Sequence, residues 1–239
     1  MNHLILVRHG QSLWNLEERF TGWVDVDLSD KGVEEAIYAG ELIQKLNLNF
    51  DVYFTSYQKR ARNTLNIILK MLNINTDVVE AWELNERHYG ELTGLNKDEM
   101  KKVYGEKKIH IFRRSWDISP APLGKKNPYH PLNIEIYKKI PKNKIPDTES
   151  LKNTYERVIP YYLKNIEPLI QNGQNILISA HGNSLRALCK KLFNISDANI
   201  SKLEIPTGNP LLIKFNKNLI VSDSYYLDSS RSRNLLVEF

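Results

Sequence analysis

Two histidines, each followed by glycine and each preceded by a short apolar run, carry the strongest chemical signal in the chain. They are Arg8-His9-Gly10 near one end and His181-Gly182-Asn183-Ser184 near the other. Neutral imidazole attacks phosphorus well, and guanidiniums beside it can cradle the charge of a phosphorylated product. Arg8 adjoins His9, Arg186 follows His181 by five residues, and Arg60 follows a second apolar run, where it could grip phosphate oxygens with two prongs. Ser12 and Asn15 fall where a helix starting after His9 would present donors, and helix N-termini bind phosphate through free N–H groups. A lone histidine after a strand is more often a hydrogen-bonded structural residue. The repeated pattern, with an arginine near each copy, points instead to phosphoryl transfer, where positioning and charge stabilisation do most of the work.

Such a pair is useful only if the fold brings its members together. Leu4-Ile5-Leu6-Val7 and Ile176-Leu177-Ile178-Ser179-Ala180 have the length and type of strands buried on both faces. If the two lie side by side, both imidazoles stand at the carboxyl edge of the sheet, where open α/β folds bind ligands. Between them the periodicity predicts a short helix over 12–20, a loop at Thr21-Gly22-Trp23, and a helix capped by Ser29 with Val33, Ala36, Ile37, Gly40 and Ile43 on one face. A strand over 52–55, a helix over 58–72 and a third strand over 76–79 follow. Six of the ten prolines lie between Glu106 and Ser150, so residues 106–150 read as an ordered but irregular insertion. Helical spacing resumes from Thr148, with a kink expected at Pro160, and two late apolar runs, 211–215 and 219–226, suggest a hairpin. The fold class is α/β: a three-layer α/β/α arrangement with a mostly parallel central sheet, read as one catalytic domain over residues 1–239.

Composition narrows the partners. The net charge is +5, from 33 basic and 28 acidic residues mixed along the chain, without the single basic face expected of a nucleic-acid binder. An anionic small-molecule substrate fits that balance. No stretch reads as a signal peptide and no run approaches the ~20 apolar residues of a membrane span, so a cytoplasmic protein is expected. The single Cys189 lies on an apolar helix stripe and reads as a core residue. No P-loop, G-x-S-x-G or H-x-x-x-H pattern occurs, so nucleotide, serine-hydrolase and metal chemistry are not expected. From the residues alone, either Glu83 or Glu86 could serve as a proton-transfer carboxylate.

Arg8-His9-Gly10, Phe20-Thr21-Gly22-Trp23, Leu84-Asn85-Glu86-Arg87-His88-Tyr89-Gly90, Gly94-Leu95-Asn96-Lys97, Arg113-Arg114, Ala180-His181-Gly182-Asn183-Ser184-Leu185-Arg186 and Ile205-Pro206-Thr207-Gly208 occur in that order. Together they resemble the 2,3-bisphosphoglycerate-dependent phosphoglycerate mutases of the histidine phosphatase superfamily. The resemblance implies His9 as phosphorylated nucleophile, Arg8 and Arg60 as its phosphate partners, His181 as stabiliser of the transferring group, and Glu86 as general acid and base. It implies substrate contacts at Ser12, Asn15, Thr21, Gly22, Arg87, His88, Tyr89, Lys97, Arg113, Arg114, Gly182 and Asn183. It also implies 2,3-bisphosphoglycerate as priming phosphoryl donor, no metal, and a homodimer or homotetramer. Charge supports it: a bisphosphoglycerate carries about four to five negative charges. Arg8, Arg60, Arg87, Lys97, Arg113 and Arg114 supply six cations against them.

Three positions depart from the family pattern: Gln11 where glutamate is usual, Phe112 where tryptophan is usual, and Asn209 where an aliphatic residue is common. Residues 124–138 match loosely, and the tail after Leu227 is shorter and poorer in lysine than is usual. A phosphatase or a synthase of the bisphosphate on the same scaffold, and a non-catalytic phosphate-binding module, are the alternatives. The first differs in its phosphoryl acceptor; the second would bind phosphoglycerate without turnover.

Overall fold

Leu4, Ile5, Leu6 and Val7 are all buried, as a strand covered on both faces requires. The structure, a computed structural model, describes residues 2–232 and Leu235, so part of the tail after Leu227 lies outside the described residues. In chain order the elements are β1 (Asn2–Arg8), α1 (Leu13–Leu16), α2 (Asp30–Gln44), β2 (Val52–Thr55), α3 (Lys59–Met71), β3 (Val79–Glu80), α4 (Lys97–Tyr104) and α5 (Glu106–Arg114). They continue with α6 (Leu151–Tyr161), α7 (Glu167–Gln171), β4 (Ile176–Ala180), α8 (Gly182–Leu192), β5 (Leu211–Phe215) and β6 (Val221–Tyr226).

The strands form one sheet in the order β3-β2-β4-β1-β5-β6, parallel from β3 to β1 and antiparallel at β5 and β6. Alternation along β1 divides the core. Leu4 and Leu6 pack with Val158 and Ile159 of α6 and Leu185, Leu188 and Cys189 of α8. Ile5 and Val7 pack with Ala39 and Ile43 of α2 and Leu65, Ile68 and Leu69 of α3. That is the expected three-layer arrangement, with β1 and β4 as direct neighbours.

Several boundaries differ from the sequence reading. The first helix is a single turn, α1, because Glu18 takes a left-handed φ of 54° and ends it. The third strand shrinks to Val79–Glu80. On α2 the buried stripe is Gly32, Ala36, Ala39, Gly40 and Ile43, while Val33 and Ile37 are exposed. The reason is close approach: a Cβ on Gly32 would stand 2.0 Å from the Gln11 carbonyl oxygen, and one on Gly40 would stand 2.8 Å from Met71 Cβ. The helix packs through small residues because it lies almost on the backbone that follows His9.

The insertion is not irregular throughout. Its first nine residues form α5, with Ile109 and Phe112 buried; beyond it the backbone makes only short 3₁₀ turns. That remainder is anchored by Tyr137, whose hydroxyl donates to the Trp23 carbonyl and accepts from Gln58 Nε2 at 3.1 Å. After Pro160 the helix runs into a π-turn, Tyr162–Ile166, closed by the Glu167 N–H on the Tyr162 carbonyl. Pro168 has no N–H to continue the ordinary ladder, and the wider turn absorbs the missing bond.

Candidate active site

Parallel pairing of β1 with β4 puts Arg8 opposite Ala180, so both strands end at the same edge of the sheet. The His9 N–H donates to the Ala180 carbonyl at 3.0 Å, and the His9 and His181 rings stand edge to face with centroids 4.9 Å apart. Two residues 172 positions apart thus share one buried point.

The hydrogen bonds fix which nitrogen of His9 keeps its lone pair. Nδ1 lies 2.6 Å from the Gly10 carbonyl, which can only accept, so Nδ1 carries the proton. Nε2 keeps its lone pair and receives Arg60 Nε–H at 3.3 Å. Burial, and then the charges of Arg60 and Arg8, hold the imidazole well below the usual histidine range, so it is neutral at pH 7. His181 is likewise held well below that range, by burial first and then by Arg60. Its Nε2 lies 2.7 Å from Ser56 Oγ, while its Nδ1 is buried without a hydrogen-bond partner.

Arg60 is aimed by its surroundings. It sits in the first turn of α3, fully buried, donating from Nη1 to the Val24 carbonyl (2.9 Å) and from Nη2 to the Gly22 carbonyl (2.9 Å). Arg8 donates from Nη1 to the Ile205 carbonyl at 2.9 Å and keeps its Nε unpartnered. Gly182 lies against that guanidinium, where a Cβ would come 3.5 Å from Arg8 Cζ. Glu86 Oε1 accepts the Arg87 N–H (2.7 Å) and the Asn183 N–H in the first turn of α8 (3.1 Å), an end of the helix where the dipole favours a carboxylate.

A cavity opens beside these groups. Arg8, His9, Arg60 and Glu86 line it, together with Asn15, Thr21, Gly22, Tyr89, Lys97 and Arg113. Lys97, at the start of α4, reaches Glu18 at 3.0 Å. The structure brings these residues together.

The remaining predicted contacts stand around the cavity rather than in its lining. Ser12 caps α1 by accepting the Asn15 N–H at 3.2 Å. Arg87 is buried under Tyr89, 4.7 Å from its ring centroid, and donates to the Phe112 (2.8 Å) and Arg113 (3.0 Å) carbonyls while its Nε and Nη1 have no partner. Arg114 pairs with Glu204 at 3.1 Å. Asn183 Nδ2 donates to Tyr89 Oη at 3.1 Å, and its Oδ1 accepts Arg186 Nη1 at 2.6 Å. Burial, then Arg114, pulls Arg186 down to about 9. His88 faces away: its Nδ1 accepts the Gly90 N–H, its ring lies 6.2 Å from that of His130, and burial pulls it down to about 3.

Arg19 and Phe20 also line the cavity, and of the two only Phe20 belongs to a motif of the sequence. Arg19 is a cation one residue before that motif, which was the available signal. Ser56 gave none. Of the departures, Gln11 Oε1 accepts the Ser29 hydroxyl at 2.9 Å, and the buried Phe112 offers the carbonyl that Arg87 uses. Asn209 exchanges two hydrogen bonds with the Asp228 backbone, at 3.0 and 3.1 Å, where the tail leaves β6.

Two neutral imidazoles stand at one sheet edge, among buried guanidiniums and beside a cavity, a layout suited to holding an anionic group. The chain belongs to the histidine phosphatase superfamily (branch 1), whose family model matches residues 4–130. Within it, the chain is 60% identical over 237 residues, covering 99% of this chain and all of the other, to the 2,3-bisphosphoglycerate-dependent phosphoglycerate mutase of Pelagibacter ubique (strain HTCC1062). It is 48% identical over 239 residues to the enzyme of that name from Hydrogenobaculum sp. (strain Y04AAS1), with 100% and 97% of the two chains covered. Among solved structures, a mycobacterial glucosyl-3-phosphoglycerate phosphatase superposes with a TM-score of 0.67 at 20% identity, covering 90% of this chain and 93% of that one. A putative α-ribazole-5'-P phosphatase from Escherichia coli gives 0.68 at 19%, covering 94% of each. These two likenesses concern the fold.

Proposed function

We propose that this chain interconverts 3-phosphoglycerate and 2-phosphoglycerate, a step of glycolysis and gluconeogenesis, through a phosphohistidine at His9. The reading draws on the names of the full-length relatives. The observation that carries it is the neutral His9 Nε2, held beside His181 and under Arg60. His9 Nε2 forms the N–P bond as the P–O bond of the donor breaks, and Glu86 gives its proton to the departing oxygen. In return Glu86 takes the proton from the acceptor hydroxyl as that oxygen attacks phosphorus. Ser56 Oγ accepts the Gln58 N–H (3.2 Å) and lies 2.7 Å from His181 Nε2, to which its hydroxyl donates in this reading. His181 then carries its proton on Nδ1, as a donor for the transferring oxygens.

2,3-bisphosphoglycerate, as priming donor, would supply the first phosphoryl group. The chain suits so anionic a group: Arg8 Nε, Thr21 Oγ1, Arg87 Nε and Nη1, and His181 Nδ1 are buried without partners in or beside the cavity. Arg8, Arg60, Arg87, Lys97, Arg113 and Arg114 would share its charge. Among the described residues no group of three or more His, Cys, Asp or Glu could hold a metal ion.

We read residues 1–239 as one catalytic unit, since β1, α3, α4, α5 and α8 all contribute to the site. A homodimer or homotetramer in the cytoplasm, acting on small phosphoglycerates rather than on nucleic acid or membrane, completes the proposal; sedimentation checks the assembly. No helix among the described residues is long and apolar enough to cross a membrane. The test is an assay of 2-phosphoglycerate formation with and without 2,3-bisphosphoglycerate, run beside phosphate release to water. Primer-dependent isomerisation faster than hydrolysis is expected; release to water alone would replace the mutase with a phosphatase.

A further inference from the structure

Glu86 lies on a segment, residues 83–88, with no regular structure beyond the 3₁₀ turn Trp82–Leu84. Catalytic proton transfer needs its carboxylate held to within a fraction of an ångström. Two charged side chains outside the cavity grip that segment. Glu149, just before the N-cap Ser150 of α6, and Arg157, within α6, form a buried two-pronged pair: Nε to Oε1 at 2.6 Å and Nη2 to Oε2 at 3.0 Å. Their side chains are only 3% and 9% exposed. Arg157 also donates to the Glu83 carbonyl (2.5 Å) and to the Glu86 carbonyl (2.9 Å). Glu149 Oε2 accepts the His88 N–H at 2.8 Å, and its own N–H donates to the His88 carbonyl at 3.0 Å.

The segment is therefore fastened at 83, 86 and 88, on both sides of the Arg87 N–H that holds the Glu86 carboxylate. Removing the pair would leave the Glu83 and Glu86 carbonyls and the His88 N–H without these partners. We infer that the Glu149–Arg157 pair is a positioning device for proton transfer by Glu86, acting through the backbone and touching no substrate. This rests on the reading of Glu86 as general acid and base. Lysine at 157 would keep the charge but not the planar fork that reaches two carboxylate oxygens and two carbonyls at once.

A merely structural pair would affect every substrate alike. A positioning pair would matter only where the leaving oxygen needs a proton. An aryl phosphate such as p-nitrophenyl phosphate releases a stable phenolate: the P–O bond breaks, the phosphoryl group forms the N–P bond to His9, and the leaving oxygen requires no proton. The experiment times phosphorylation of the full-length protein by intact mass, with 2,3-bisphosphoglycerate or with p-nitrophenyl phosphate. Arg157→Lys and Glu149→Gln are compared with Glu86→Gln. In both positioning variants the bisphosphoglycerate reaction is expected to slow by about 10-fold or more, and the aryl phosphate reaction by no more than about 3-fold. In steady state kcat falls while KM for 3-phosphoglycerate is held, because the cations of the cavity are untouched.

Equal slowing with both donors, or none with either, in the presence of a selective Glu86→Gln would overturn the proposal alone. A Glu86→Gln enzyme without that selectivity would remove the assignment beneath it, and the proposal with it. Glu149→Gln keeps the shape of the pair and decides the matter if Arg157→Lys does not fold.

Discussion

At His9, chemistry is decided by where one proton sits. The Gly10 carbonyl claims the Nδ1 proton at 2.6 Å, so Nε2 faces Arg60 as a lone pair. Arg60→Lys would lose that donor and the fork that satisfies the Gly22 and Val24 carbonyls. Phosphorylation of His9 is expected to slow by about 100-fold in a single-turnover experiment. Unfolding should become easier by about 1–3 kcal/mol, read from a denaturant titration, because buried carbonyls lose their donor. Ser56→Ala would free the tautomer of His181; kcat should fall by about 10-fold with KM little changed. The two histidines were legible because each follows an apolar run and precedes glycine, and Glu86 became legible only through its motif. Ser56, Glu149 and Arg157 were not. A polar side chain that works by contacting another far along the chain looks, in one sequence, like any solvated residue.

Among the elements, the decisive event is β1 lying beside β4, and the apolar runs 4–7 and 176–180 made both strands readable. Their adjacency was an inference from the chemistry, since parallel pairing leaves no local mark. Two misreadings have physical causes. On α2 the expected face followed the larger apolar side chains, whereas the buried stripe is small because the helix meets Gly10 and Gln11 at backbone distance. A Cβ on Gly32 would stand 2.0 Å from the Gln11 carbonyl oxygen, so Gly32→Ala should destabilise the fold by about 1–3 kcal/mol. For a chain of this length that is a fall of roughly 2–12 °C in Tm by calorimetry. Activity at low temperature should fall with it, because the shifted backbone carries His9. In α5 the proline count misled: every proline of the insertion lies beyond Arg114, and Ile109 with Phe112 already marks a helical face.

For the molecule as a whole, burying neutral imidazoles makes stability depend on pH. His9 and His181 are held well below the usual histidine range and His88 at about 3, burial being the first cause in each. Below the unfolded value of about 6.5 the unfolded chain takes up protons that the folded chain refuses. Stability is therefore fully present above that pH and lost as pH falls toward the folded values. The slope is about 1.4 kcal/mol per pH unit for each histidine. Denaturant titrations at pH 7.5, 6, 5 and 4 should show the decline, and His88→Asn should make it shallower by about one histidine's worth. The central claim is that His9 takes and returns a phosphoryl group beside His181. Its most direct measurement is intact-mass and peptide mass spectrometry of the protein after brief exposure to 2,3-bisphosphoglycerate. A single acid-labile phosphate on His9, absent from a folded His9→Ala variant and discharged by 3-phosphoglycerate, is the predicted result. No adduct, or a stable one on another residue, would contradict it.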